Sequence, residues 1–326
     1  MSLANWLKCL KSELRSVTRV VIGNEAGDLD SAVSALVLAY ILHVKDPKSV
    51  TFPLLNYSKN LYSAKTEVVH VLENIDISKN DLFFLPQMKD ELEQIEDLDI
   101  VLVDHNEPTG ILNESFGSSK VSLIIDHHPE NPTNMLSCEK SIELVGSCSS
   151  LVADYAVKAA VYLPDDAREI IASAIVIDTS GFSPIQLVDD IDRGMFARMT
   201  EGKPTDVDSL LAELTSARFK IDGLSIRDLL LKDAKHIVAD KNRSIFAATL
   251  HCDMGDFLRK EDAWFEIAEF YFSNDCKNAD ILLLMGTVAD GTNRGFGWYS
   301  PKMGLDFSEK FHEVARFSWI LEDGSL

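Results

Sequence analysis

The sequence predicts an α/β protein, a parallel β-sheet flanked by helices, followed by a smaller α+β unit. Three observations predict it. Apolar, largely β-branched runs at 17–22, 100–103 and 121–125 are continuous rather than alternating, as in strands covered on both faces. From about residue 3 to 179 such runs alternate with segments of helical pattern, the signature of a layered parallel sheet. Each run also stops at a polar cluster: Asn24-Glu25-Ala26-Gly27-Asp28-Leu29-Asp30, Asp104-His105-Asn106-Glu107, and Asp126-His127-His128.

The elements follow in order. The first run halts at Gly23-Asn24, and residues 30–42 then carry Ala32, Val33, Ala35, Leu36, Val37, Ala39 and Tyr40 with almost no polar residue, so this helix is buried nearly all round. Asp30 and Ser31 sit at its start. Two further helices are expected at 149–160 and 167–177, the second ending at Asp178-Thr179-Ser180-Gly181, where the chain turns away. Composition changes near Gly202-Lys203-Pro204, after the acidic stretch 189–192, which places a domain boundary there: a first domain over 1–200 and a second over 207–326. The second domain is expected to hold helices at 207–217 and 226–234 and strands at 244–250 and 279–285, not in strict alternation.

The whole-chain figures bound the function. With 326 residues, 46% hydrophobic and 25% charged, the composition is that of a globular protein with room for two cores. No apolar stretch approaches the roughly 20 residues needed to span a bilayer, and residues 1–17 lack the apolar centre of a secretory signal, so no membrane partner and a cytoplasmic location are expected. The five cysteines, Cys9, Cys138, Cys148, Cys252 and Cys276, are scattered and read as reduced, mostly buried residues. A net charge of −21 argues against nucleic-acid binding, which calls for a basic face. It leaves room for a polyanionic substrate, because bound divalent ions reverse the local field.

The clusters point to metal. A single apolar run ending in Asp reads as a strand leaving the core at a solvated turn. Three such endings with two histidines and a fourth acid, Asp178, match the usual ligand set of divalent ions. Parallel strands ending side by side would bring them to one edge of the sheet. Asp104, with two carboxylate oxygens at a strand end, is suited to bridge two ions held roughly 3.5–4 Å apart, which can share and activate one water. Adjacent His127 and His128 cannot both aim at one point, so one is expected as a ligand and the other faces substrate, with Asp126 fixing a ring tautomer. Ser147 and Cys148 have no base beside them in sequence and read as helix capping, not as nucleophiles.

The motifs Gly23-Asn24-Glu25, Asp28-Leu29-Asp30-Ser31, Asp104-His105-Asn106-Glu107, Asp126-His127-His128 and Ala174-Ile175 with Asp178-Thr179 resemble those of the DHH phosphoesterase superfamily. Within it, the chain is similar to the DHHA2-containing branch of family II inorganic pyrophosphatases, cytosolic exopolyphosphatases and prune proteins. The resemblance implies two divalent cations, Mg²⁺ or Mn²⁺. Asn24, Asp28 and Asp104 would face the first; Asp30, Asp104, His127 and Asp178 would hold the second. It also implies that His128 contacts phosphate and protonates the leaving oxygen. The pyrophosphatase pattern has histidine where this chain has Asn24, and an amide leans the first site towards Mg²⁺.

That change and the intact His128 favour an exopolyphosphatase that releases terminal orthophosphate from inorganic polyphosphate, with a prune-like nucleotide phosphodiesterase or short-chain polyphosphatase as the alternative. A pyrophosphatase or a non-catalytic scaffold fits less well. The stretch 228–235 resembles the opening of the DHHA2 domain, whose basic residues would close over a cleft between the domains. Lys235 and, second to it, Lys232 are the candidates, each also readable as a solvated charge on a helix face. Arg294 and Arg316 stand in for an absent Ser-Arg-Lys. Phe182, Trp298 and Tyr299 could stack on a base, although packing is the commoner role of aromatics.

Overall fold

The computed structural model describes residues 1–117, 120–130, 136–240, 243–289 and 294–301, and Arg316 lies outside them. The chain divides into two compact units, 1–220 and 221–326.

The first unit opens with α1 (Leu3–Leu10), followed by β1 (Arg19–Ile22), α2 (Leu29–Lys45) and β2 (Thr51–Leu54). Then come α3 (Thr66–Glu73), α4 (Leu85–Glu93), β3 (Asp99–Val103), α5 (Gly110–Ser115), β4 (Val121–Asp126) and β5 (Glu139–Ile142). Four helices complete it: α6 (Cys148–Lys158), α7 (Asp165–Asp178), α8 (Asp190–Met199) and α9 (Val207–Arg218). The five strands form one sheet in the order β2-β1-β3-β4-β5, and every pairing is parallel. In this order the chain goes from β1 to one side for β2 and to the other for β3. That reversal opens a crevice at the carboxyl ends of β1 and β3, where open parallel sheets bind ligands.

Burial explains the strands that the sequence displayed. Val20, Val21, Ile22, Ile100, Leu102, Val103, Ile124 and Ile125 are all fully buried, each contributing about 1.5–3 kcal/mol by leaving water. Helix α2 is buried along nearly all of its length and packs on the sheet, on α6 and on α7. Strands β2 and β5 lie at the two edges and carry weak signals. β2 contains Pro53, which lacks an N–H and is tolerated because one side of an edge strand needs no donor. β5 is the polar Glu139-Lys140-Ser141-Ile142.

The boundary expected near 202–204 falls instead after Lys220. Helix α9 belongs to the first unit: the Thr66 hydroxyl donates to Arg218 O (3.3 Å), His70 Nε2 lies 2.6 Å from Glu213 Oε1, and Leu211 packs under Gly181.

The second unit holds α10 (Ile226–Lys232), β6 (Ala234–Asp240), β7 (Arg243–Leu250), α11 (Met254–Leu258), α12 (Ala263–Phe272), β8 (Ile281–Thr287) and β9 (Arg294–Tyr299). Its sheet runs β6-β7-β8-β9, with the central β7–β8 pair parallel and both outer pairs antiparallel. Leu229, Leu230, Phe246, Leu250, Phe257, Phe270 and Leu282 form its core. The helix expected over 226–234 stops at Lys232, and Ala234 opens β6, so Lys235 stands on a strand opposite Ala247.

Candidate metal centre

Asp104 is the first residue beyond β3 and is buried at 2% exposure, with φ at +61°. Left-handed backbone costs a residue with a Cβ about 1–2 kcal/mol, and Asp is among the side chains that tolerate it best. The turn is pinned by Asp104 N, which donates to Ile125 O at the end of β4 (3.0 Å). Strain of this kind concentrates at functional sites.

Asp30 lies in the first turn of α2 and is 1% exposed. Its Oδ1 accepts from the Ser147 hydroxyl and from Ser149 N, both at 2.8 Å, and its Oδ2 accepts from Cys148 N at 2.6 Å. The carboxylate therefore caps the amino terminus of α6, where unpaired N–H groups and the helix dipole favour an anion. Ser147 was expected to cap this helix; its hydroxyl serves Asp30 and the aspartate does the capping. Cys148 is buried with its thiol pushed well up by burial, in keeping with no nucleophilic role.

A residue that the sequence reading missed holds this loop. Asp192, fully buried on α8, accepts from Gly146 N (2.8 Å), the Ser150 hydroxyl (2.6 Å) and Asp189 N (2.8 Å). In the sequence it is one acid of a charged stretch. The Asp189-Asp190-Ile191-Asp192 spacing of a capping box is the signal that marks it as structural.

The two histidines point to different partners. His127 Nδ1 meets the Val145 carbonyl at 3.1 Å, and a carbonyl can only accept, so Nδ1 carries the proton. Its Nε2 then faces the acids, 3.2 Å from Asp104 Oδ1 and 3.9 Å from Asp30 Oδ2. His128 donates through Nδ1 to Asp126 Oδ1 (2.9 Å), and its side chain is 42% exposed. Asp126 therefore fixes the tautomer of His128, while a backbone carbonyl fixes that of His127. Asp126 is fully buried; it also accepts from His127 N (2.8 Å), His128 N (3.1 Å) and Asn106 Nδ2 (2.5 Å).

Asp178, the last residue of α7, completes the cluster. One ligand atom from each of Asp30, His127 and Asp178 lies within 4.8 Å of the others, and the same holds for Asp104, His127 and His128. Asp28 caps α2 by accepting from Ser31 N (3.0 Å), and its charge reaches both Asp104 and Asp178. Asn24 stands at the site as well. Its Nδ2 donates to Asp104 Oδ2 (2.6 Å) while its Oδ1 accepts from Gly27 N (2.9 Å), so it orients Asp104. His105 bonds Val103 O through Nδ1 (2.8 Å) and joins neither converging group.

Electrostatics mark the cluster as a cation site. Burial pushes the Asp104 carboxyl up to about 7, with the charges of Asp28 and Asp30 adding to the rise and the His127 hydrogen bond opposing it. Asp178 is raised well above the ordinary carboxylate range by loss of solvent and by Asp30, Asp28 and Asp104. Burial disfavours a charge on His127, but the hydrogen bond to Asp104 and the charges of Asp30 and Asp104 outweigh it and hold the ring at about 10. Hydrogen bonding to Asp126 raises His128. Carboxylates this crowded, interleaved with an imidazole whose Nε2 faces them, fit a divalent cation that would relieve their repulsion.

In the second unit the candidate clamp residues separate. Lys235 and Arg294 are exposed, whereas Lys232 is buried at 2% exposure. Phe182 meets Phe196 edge to face (5.3 Å) under Arg193 (5.0 Å), and Tyr299 meets Tyr271 edge to face (5.2 Å), so both aromatics are engaged in packing.

Fold and site together define an α/β domain with a cluster of carboxylates and imidazoles at the switch point of a parallel sheet. Residues 18–176 match the model of the DHH family, N-terminal domain, and the chain belongs to that family. It is 28% identical over 289 residues to exopolyphosphatase PRUNE1 of Homo sapiens, covering 82% of this chain and 59% of the human protein. It is 22% identical over 284 residues to a manganese-dependent inorganic pyrophosphatase of Methanocaldococcus jannaschii, covering 84% of this chain and 85% of that protein. The crystal structure of a Methanococcus jannaschii protein assigned to the family II inorganic pyrophosphatases shares the fold, with a TM-score of 0.68, 21% identity and 91% of each chain covered. Among the described residues, no helix is long and apolar enough to cross a membrane.

Proposed function

We propose that the chain is a cytoplasmic, divalent-cation-dependent exopolyphosphatase that hydrolyses inorganic polyphosphate from its end and releases orthophosphate. The observation that carries this reading is the convergence of Asp30, Asp104, His127 and Asp178, remote in sequence, on one small volume at the carboxyl edge of the sheet. Two cations, Mg²⁺ or Mn²⁺, are assigned to Asp28, Asp30, Asp104, His127 and Asp178, with Asn24 turning the Asp104 carboxylate. Bound there, they would supply charge neutralisation on phosphate oxygens and a more acidic water. Relatives described as an exopolyphosphatase and as a manganese-dependent pyrophosphatase support phosphoanhydride chemistry.

The chain's own residues supply the remainder. Asp30 is held rigid by the α6 terminus, so its carboxylate does not follow an incoming polyanion. His128 keeps Nδ1 on Asp126 and presents the far edge of a half-exposed ring. The hydrogen bond to Asp126 raises its basicity and so favours a second proton, on Nε2, for donation to the oxygen of the departing phosphate chain. Lys235 and Arg294 are the exposed cations offered for phosphate oxygens. The test is orthophosphate release by purified protein with Mg²⁺ or Mn²⁺ from long polyphosphate, tripolyphosphate, pyrophosphate and a cyclic nucleotide. Release from polyphosphate is expected, and release from pyrophosphate or the nucleotide alone would overturn the assignment.

A further inference from the structure

Lys65 is the first unit's one fully buried lysine among the described residues, at 0% exposure. It belongs to none of the motifs that the sequence displayed. An ammonium withdrawn from water is costly unless its protons are received, which makes its partners informative. Its Nζ donates to the carbonyl of Ala26, in the middle of the loop that carries Asn24 and Asp28. The same ammonium lies 5.3 Å from the centroid of the Tyr57 ring, itself buried. Gly27, at φ +56°, rests directly on that ring: a Cβ there would come within 2.3 Å of Tyr57. Loop, ring and ammonium are therefore stacked in contact.

We infer that Lys65 is a positioning residue, which braces the loop from Asn24 to Asp28 from below and so holds the Asp104 carboxylate in place. The connection is short. Ala26 is bonded to Lys65; the next residue, Gly27, donates to Asn24 Oδ1, and Asn24 Nδ2 donates to Asp104 Oδ2. Asp28 follows at the start of α2. The inference rests on the metal-site reading and deepens it by assigning the support behind one side of the site.

Brace and bare charge predict opposite signs, which makes the inference testable without turnover. The substitution Lys65→Met keeps the aliphatic stem and removes the donor. If the ammonium acts through the loop, the variant, folded by circular dichroism, binds Mn²⁺ about tenfold or more weakly by calorimetry, as expected for loss of a group supporting ligands. The Gly27 amide then exchanges its hydrogen faster than in the parent protein. If the lysine acted only as a positive charge beside acids, its removal would tighten Mn²⁺ binding, so equal or tighter binding with unchanged Gly27 exchange overturns the inference. Lys65→Gln keeps an N–H without the charge and is expected to recover most of the loss; it decides alone if the methionine variant does not fold. A parent protein that binds no Mn²⁺ overturns the metal reading and this inference together, an outcome distinct from a variant that binds like the parent.

Discussion

Lowering the pH from 7 to 6 should weaken Mn²⁺ binding steeply, and the slope follows from the site. A cation can occupy the cluster only when Asp104 is ionised and His127 Nε2 is bare. In the metal-free protein Asp104 titrates at about 7 and His127 at about 10. At pH 6 Asp104 is then about nine-tenths protonated and His127 fully so, and binding displaces about two protons. The sign is fixed: both groups are raised, so protons compete with metal below their titration points and affinity rises with pH. From pH 7, where Asp104 is half ionised, to pH 6 the two groups together weaken binding by about fiftyfold, or about 2.4 kcal/mol. Above about pH 8 Asp104 is largely ionised and the slope should relax towards about tenfold per unit. Asp178, also raised, steepens both limbs. Calorimetry in two buffers of different ionisation enthalpy reads affinity and proton release together. Affinity constant between pH 6 and 8, with no proton released, would show that Asp104 and His127 do not exchange protons for the cation.

Other expectations follow from single side chains. His128→Gln should lower orthophosphate release by about 10²–10⁴-fold, the usual contribution of a general acid, with Mn²⁺ affinity by calorimetry nearly unchanged. Asp166→Ala should leave activity intact but lower the melting temperature, because Asp166 accepts from Leu3 N and Ala4 N, both at 3.0 Å, and so caps α1 from a distance. A cap of this kind is worth about 1–2 kcal/mol, or about 2–8 °C in a thermal melt. Gly23→Ala should cost stability and metal affinity together, since its Cβ would lie 2.3 Å from the Ser31 hydroxyl that receives Asn24 N. Overpacking of this kind typically costs about 1–3 kcal/mol in a denaturant melt.

What the sequence displayed and what it hid have physical reasons. Strands β1, β3 and β4 are buried on both faces, so they write themselves as unbroken apolar runs, and the acids behind them are the candidate metal ligands. Edge strand β2 is buried but short and interrupted by Pro53, and edge strand β5 is polar and carries Lys140, so neither displays a β-branched apolar run. Only Ala234 of β6 falls within the helix expected over 226–234, and no strand is expected over 235–240, because Ala234, Lys235 and His236 carry no strong strand preference and Ile237 and Val238 are exposed. At the site, residue types predicted the gathering but not the wiring. That Val145 O orients His127, that Asp30 caps α6, and that Asn24 turns its N–H groups to Asp104 are hydrogen bonds made across the fold, for which no local pattern stands. Lys65 lay hidden for the same reason, resembling a surface charge until its surroundings are known, and Asp192 showed only the spacing of a capping box.

Counting bound Mn²⁺ in the intact protein and in Asp104→Ala shows most directly whether the cluster takes two cations that depend on Asp104. Two Mn²⁺ per chain are expected for the parent protein at pH 8, with loss of tight binding in the folded variant. A parent protein that takes up no Mn²⁺, or a variant that binds both ions as tightly as the parent, would overturn the two-cation assignment.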